Sequence, residues 1–178
     1  MKEPLFYRLI RKPLGAIFKA IYKPSIIGKR NIPEEGRIIL AGNHTNYFDC
    51  ILIGCATDRC VHYLAKDELM KGPLKYLFNG LGIIPVNRRT KDKAALAKAE
   101  EYLNDDKLIG IFPEGTINRT DDVIMPFKFG AVSMAQKANA KYEIGHLTNE
   151  IISIKIVKKT TEPFDFIFLS ESLSKSSI

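Results

Sequence analysis

A histidine and an aspartate five residues apart, in Asn43-His44-Thr45-Asn46-Tyr47-Phe48-Asp49, form a pair able to take a proton from a hydroxyl group. Imidazole has an unperturbed pKa of about 6.5, which makes it a base near neutral pH, and a neighbouring carboxylate raises its basicity. The preceding apolar run Ile38-Ile39-Leu40 reads as a buried strand, so His44 stands where a strand gives way to a loop or helix. Residues five apart on an ideal helix point in different directions. His44 and Asp49 therefore meet only if a turn separates His44 from a helix beginning near Asn46, which Thr45 and Asn46 are suited to cap. By spacing alone the pair reads first as helix-capping polar residues.

A second segment changes that balance. Leu108-Ile109-Gly110-Ile111-Phe112 is another short apolar strand, and it leaves through the polar turn Pro113-Glu114-Gly115-Thr116, whose glycine permits close backbone approach to a ligand. Two buried strands thus end in polar turns, and strand ends in α/β sheets are where sites form. Strands are expected near 25–28, 37–42, 60–65, 83–86, 108–112, 151–157 and 165–169. Helices are expected near 48–56, 68–78, 91–103 and 130–138, with Gly72-Pro73 splitting the second. In the run 90–107, alternating charges flank Ala95, Leu96 and Ala99, the pattern of a helix covering one face of a sheet.

Three segments carry a family resemblance. Asn43-His44-x4-Asp49, Gly82-Ile83-Ile84-Pro85-Val86-Asn87-Arg88 and Phe112-Pro113-Glu114-Gly115-Thr116, in this order, resemble the first three motifs of the glycerolipid acyltransferases. Within them the match is closest to the 1-acylglycerol-3-phosphate (lysophosphatidate) acyltransferases. The lead-in Ile27-Gly28-Lys29-Arg30-Asn31-Ile32-Pro33, with Glu35-Gly36, is similar to that family's entry strand. The resemblance implies an α/β fold with a single central mixed sheet covered by helices.

It also implies roles. His44 is the general base on the acceptor hydroxyl and Asp49 orients and stabilises the imidazolium, with the substrate supplying the nucleophile, so that no acyl-enzyme is required. Arg88 and Lys66 bind the phosphate of the acceptor, one as a guanidinium fork and the other as an ammonium point charge. Glu114, Gly115 and Thr116 shape the acceptor site. The family commonly has arginine directly after the threonine, where this chain has Ile117; Arg119 is the nearest substitute and ranks below Arg88. In Phe127-Lys128-Phe129-Gly130-Ala131, Gly130 reads as a packing residue, and Lys128 as either a phosphate contact or a solvated lysine. The implied reaction is transfer of a fatty acyl group from a thioester to the 2-hydroxyl of 1-acylglycerol 3-phosphate, giving phosphatidate in phospholipid biosynthesis. The co-substrate is acyl carrier protein or coenzyme A carrying the acyl group, and no metal or redox cofactor is called for.

Length and composition bound the rest. A chain of 178 residues with 46% hydrophobic content is near single-domain size and can bury a sizeable core. Cys50, Cys55 and Cys60 form an odd set without a C-x-x-C pair, which suits reduced buried thiols in a reducing compartment better than a metal site. The amino end lacks the apolar stretch and cleavage site of a signal peptide, and no uncharged run approaches the ~20 residues needed to span a bilayer.

Residues 1–23 read instead as an amphipathic segment for a membrane interface. Phe6, Leu9, Ile10, Leu14, Ile17, Phe18 and Ile21 recur at helical spacing, beside six basic residues opposed by Glu3 alone. Pro13 is expected to divide this segment into two short helices. The net charge of +7 suits an anionic membrane surface, and the expected location is peripheral, at the cytoplasmic face. No basic groove with aromatic stacking positions points to nucleic acid.

The α/β domain is placed at 24–169 and a serine-rich loose tail at 170–178. The resemblance fades after Ala140: the family's fourth motif, an apolar strand carrying a proline, has no match in Lys141-Tyr142-Glu143-Ile144-Gly145-His146, so 141–169 is atypical. A missing fourth strand would leave an exposed sheet edge. His62 and His146 are assigned to packing or surface. Alternative readings keep the chemistry with another acceptor (glycerol 3-phosphate, another lysophospholipid or an amino-acid lipid), or take the chain as a catalytically impaired membrane-binding relative; a hydrolase is weaker, for want of a second carboxylate or histidine cluster.

Overall fold

In chain order the elements are α1 (Leu5–Tyr22), β1 (Ser25–Ile27), β2 (Ile38–Gly42), α2 (Asp49–Ala56), β3 (Val61–Lys66), α3 (Lys75–Gly80), β4 (Ile84–Val86), α4 (Lys93–Asn104), β5 (Leu108–Ile111), β6 (Lys141–Leu147) and β7 (Ile151–Val157), with short 3-10 turns at Lys29–Asn31 and Asp67–Lys71. The computed structural model describes residues 5–87, 89–90, 92–122, 124–126 and 128, and the backbone of the strands at 141–147 and 151–157.

The seven strands form one sheet in the order β1-β7-β6-β2-β5-β3-β4. All neighbouring strands are parallel except β6 and β7, so the sheet is mixed, as expected. Every residue of β2 is buried, because a central strand with helices on both faces has no solvent side. Ile38 and Leu40 join the core that Phe18 of α1 and Leu52, Ile53 and Ala56 of α2 complete. The alternation of a strand sends Ile39 and Ile109 to the other face. There α4 lies against β4 and β5 and buries Ala95, Ala99 and Leu103. Each large side chain removed from water in this way stabilises the fold by about 1.5–3 kcal/mol.

Register positions the site. Ile38 pairs with Leu108 and Ala41 with Ile111, so β2 and β5 run the same way and finish level. In β3 and β4, Lys66 pairs with Val86. The carboxyl ends of β2, β5, β3 and β4 therefore share one edge of the sheet, and all three motif segments emerge along it.

Two expectations are corrected. Pro13 lies inside a single helix rather than between two. Proline removes one backbone hydrogen bond, but α1 is held on both sides of it: Tyr7 and Phe18 are buried, and Arg11 bonds the end of α2 through Thr57 O (3.1 Å), Asp58 O (2.9 Å) and Asp58 Oδ1 (2.6 Å). The helix stops at Lys23, which takes a positive φ of 44° just before Pro24.

The second correction concerns the segment after Ala140. Lys141–Leu147 is a strand, β6, paired in parallel with β2 and antiparallel with β7. It fills the place next to β2, so β2 has no exposed edge; the sheet ends instead at β1 and β4. The sequence masks this strand, because Lys141, Glu143 and His146 break its apolar pattern and no proline marks it. The strand expected at 165–169, the helix at 130–138 and the tail at 170–178 lie outside the described residues.

Candidate active site

The chain leaves β2 through Asn43 and turns at 45–48 before α2 begins, which is the condition for His44 and Asp49 to meet. Their side chains are 2.9 Å apart, Nδ1 to Oδ2. The same Oδ2 accepts the backbone N–H of Thr45 (2.7 Å) and of Asn46 (2.8 Å). An oxygen that already takes two donors is an acceptor, so Nδ1 carries the hydrogen and Nε2 is left with its lone pair. Asp49 is 1% exposed, and its buried charge is answered by three N–H groups and by the start of α2. Thr45 and Asn46 thus serve the carboxylate through their backbones; Phe48, with no side-chain cap, occupies the N-cap position.

The second strand exit closes over the first. The Phe112 ring stacks on His44 at 4.1 Å between centroids and 14° between planes. Behind it the Tyr63 ring lies parallel to Phe112, 6.2 Å away, and the Tyr63 hydroxyl donates to Cys50 O at 2.7 Å. Gly110 makes room for this column, since a Cβ there would come 2.4 Å from the Tyr63 ring. Asn118 N–H donates to His44 O at 2.6 Å and ties the third-motif loop to the histidine backbone.

Glu114 is buried, and neither carboxylate oxygen has a hydrogen-bond partner among the described residues. Burial pushes its pKa up; the N–H groups of His44 and Met125 point toward it and the His44 ring offsets part of the penalty, while Asp49 adds to it. Those N–H groups lie outside hydrogen-bonding geometry, so they leave the carboxylate short of partners. A buried carboxylate without partners, next to His44 and Asp49, is an acceptor available to a bound molecule.

Gly115 adopts φ +73°, and a Cβ there would come 2.7 Å from Lys128 Nζ. The group that approaches this glycine is therefore the Lys128 side chain, and the Lys128 backbone N–H donates to Pro113 O at 2.9 Å. Thr116 and Arg119 are exposed on the same loop, and Lys66 is exposed at the end of β3. Arg88 lies outside the described residues. Its neighbours are arranged by Asp92, the N-cap of α4, which accepts from Asn87 N–H (2.9 Å) and Ala95 N–H (3.0 Å). His62 is buried elsewhere, with Nδ1 2.9 Å from Gly82 O and its ring edge-on to Tyr102.

An apolar cavity of about 560 Å³ opens behind α2, between α1, β3 and the end of α3. Ile10, Leu14, Ile51, Phe78 and Leu81 line it, together with Tyr63 and Cys50, the residue after Asp49. Burial, with Asp49 adding to it, pushes the Cys50 thiol up to about 12, so it stays protonated.

Sequence reasoning singled out His44, Asp49 and Glu114, which the fold gathers in one place. It gave no role to Tyr63, Gly110 or Asn118, which hold that place together.

Comparison with known proteins agrees with this geometry. A family model described as Acyltransferase matches residues 23–157, and so runs through β6 and β7, past the point where the motif resemblance stopped. The chain is 38% identical over 126 residues to a 1-acyl-sn-glycerol-3-phosphate acyltransferase of Borreliella burgdorferi, covering 68% of this chain and 50% of that protein. It is 26% identical over 136 residues to an enzyme of the same name from Bacillus subtilis, covering 75% and 67%. The chain thus spans between half and two thirds of the length of these relatives. The crystal structure of the 1-acyl-sn-glycerophosphate (LPA) acyltransferase PlsC from Thermotoga maritima shares the fold, with a TM-score of 0.73 over 95% of this chain and 76% of that one at 21% identity. With its motif-bearing strand ends inside a family match that takes in most of its length, this chain belongs to the acyltransferase family.

Proposed function

We propose that this protein transfers a fatty acyl group from an acyl thioester to the 2-hydroxyl of 1-acylglycerol 3-phosphate, forming phosphatidate. The observation that carries this reading is the His44–Asp49 contact with Asp49 Oδ2 held by two further N–H groups. It leaves one basic nitrogen, Nε2, and a fixed negative charge to stabilise the imidazolium that forms.

In the reaction, Nε2 takes the proton of the acceptor hydroxyl as its oxygen bonds to the thioester carbonyl carbon. The tetrahedral intermediate then breaks its carbon–sulfur bond, and the departing thiolate receives the proton from the imidazolium. No covalent enzyme intermediate forms. Glu114 accepts a hydrogen bond from the bound glycerol backbone, and Lys66, Arg88 and Arg119 hold the phosphate. The apolar cavity behind α2 is of the size and character of a ligand pocket and takes an acyl chain. The donor thiol belongs to acyl carrier protein or coenzyme A.

The exposed apolar side of α1, including Leu9, Ile17 and Ile21, faces an anionic membrane, where both lipids reside, and the protein works as a peripheral enzyme at the cytoplasmic face. No helix among the described residues is long and apolar enough to cross a membrane.

The test is phosphatidate formation from labelled lysophosphatidate in mixed micelles, with both thioester donors offered. His44→Ala is expected to lose about 10²–10⁴-fold in kcat, the scale of general-base catalysis. A folded His44→Ala protein with near-parental turnover would remove the base assignment, and a folded parent protein without product would remove the acceptor.

A further inference from the structure

The apolar stripe of α1 does not end at the helix. At its amino-terminal end the Phe6 ring sits against Gly80 of α3, so closely that a Cβ at Gly80 would come 2.7 Å from it. Tyr76 is four residues before Gly80 on the same helix, hence on the same face, and is 83% exposed. Leu69 and Leu74, both exposed, precede it on either side of the Gly72-Pro73 turn.

Two exposed lysines, Lys71 and Lys75, are interleaved with these side chains. The acids nearby are Asp67 and Glu68, and Glu68 faces Arg89 at 4.0 Å. At the carboxyl end of α1, Phe18 and Tyr22 contact the Phe48 ring at 6.0 and 5.6 Å. Tyr47, 75% exposed, stands beside Phe48 in the turn that joins His44 to Asp49. Exposed apolar side chains therefore flank the helix stripe at both ends, with lysines interleaved at the 69–76 end.

We propose that the 69–76 segment is a second lipid-contacting element, which together with α1 seats the protein on an anionic bilayer and sets the catalytic turn at the bilayer surface. This rests on the reading that α1 itself meets the membrane. A single amphipathic helix lying in an interface fixes depth but lets the attached domain roll about the helix axis. A contact off that axis removes the roll, and with it the spread of distances between the dyad and lipid-borne substrate. The chemistry of the patch suits such a contact, with leucines to enter the acyl boundary, a tyrosine for the headgroup level and lysines for anionic headgroups. A bilayer also accommodates separate apolar side chains projecting from a turn, whereas a stable protein partner needs about 800 Å² of matched surface on each side.

The sequence contains no tryptophan, so single-tryptophan reporters read each element separately. Tyr76→Trp and Leu9→Trp proteins are titrated with vesicles of phosphatidylcholine and phosphatidylglycerol, some bearing brominated acyl chains. A blue shift and bromine quenching in both reporters is the expected result. A response from Leu9→Trp without one from Tyr76→Trp would overturn the second contact and leave the α1 reading standing; silence from both would overturn the two together. A Tyr76→Trp emission already blue-shifted without vesicles, in a protein that elutes as a dimer, would assign the patch to a second copy of the chain. As an independent readout, Leu69→Gln/Leu74→Gln is expected to bind vesicles about tenfold more weakly. Its turnover of a water-soluble short-chain acceptor stays at the parental value. Parental vesicle binding by that variant would also overturn the second contact.

Discussion

The Phe112 ring lies flat on the His44 imidazole, 4.1 Å away and 14° from parallel, although 68 residues of chain separate the two. What brings them together is the level ending of β2 and β5, with Ala41 paired to Ile111. One side of the imidazole is thereby fixed by stacking, while Asp49 fixes its edge. Replacing Phe112 by Leu keeps apolar volume and loses the flat support. Ring pairs of this kind contribute about 0.5–1.5 kcal/mol, so kcat is expected to fall roughly 2- to 12-fold with KM little changed. Steady-state kinetics on Phe112→Leu decide this; a change confined to KM would place Phe112 in substrate binding instead.

The column continues to Tyr63, and Gly110 is the residue that permits it. A methyl group at 110 would meet the Tyr63 ring at 2.4 Å and the Val61 side chain at 2.7 Å, with the strands on either side unable to part. Gly110→Ala is expected to lose about 1–3 kcal/mol of stability, the usual cost of overpacking a core. Urea denaturation measures it as a lower midpoint at unchanged slope. A midpoint equal to the parent's would mean that Tyr63 is free to move aside.

The contrast between the dyad and its supports shows what a single sequence can carry. His44, Asp49 and Glu114 lie in the motifs that carry the family resemblance, and strands β2, β3, β4 and β5 are legible from short apolar runs bounded by turn residues. Tyr63 and Gly110 lie inside strands where a tyrosine and a glycine are unremarkable; their role depends on which strands are neighbours, which is a tertiary fact. The single helix through Pro13 is likewise a tertiary outcome, since Tyr7, Arg11 and Phe18 hold together what local propensity would divide. In β6 the error ran the other way: charged residues at 141, 143 and 146 hid a strand that backbone pairing on both sides secures.

Thiol chemistry offers a check on the packing around α2. Burial foremost, and the Asp49 charge next, push the Cys50 thiol up to about 12, and burial also raises Cys55, against the opposing influence of Lys19 and Arg11. The thiolate is the reactive form, so at pH 8 both cysteines are expected to resist iodoacetamide in the folded protein and to react once it is unfolded in urea. Mass mapping of the labelled peptides gives the result for each residue. Rapid labelling of Cys50 in the folded state would show the cavity side of α2 to be open to water.

Glu114 gives the pH dependence with its sign. Its folded pKa is raised, chiefly by burial, so the folded protein holds this proton more tightly than the unfolded chain does. The protonated form's stability is complete below the unfolded value of about 4.5 and is lost as pH rises through the folded value. At neutral pH, above the unfolded value, this buried group therefore opposes folding. Glu114→Gln removes that charge while keeping the shape, and is expected to raise Tm at pH 7, with the difference shrinking as pH falls toward 4.5. Thermal unfolding of both proteins across that range measures it, and a gap that stays constant with pH would show that the carboxylate is not the cause. The same substitution is expected to lower turnover, because it replaces one of the two unpartnered carboxyl oxygens with an amide nitrogen that cannot accept from the acceptor. A more stable but slower enzyme would identify Glu114 as a group kept at a cost to folding for what it does to the substrate.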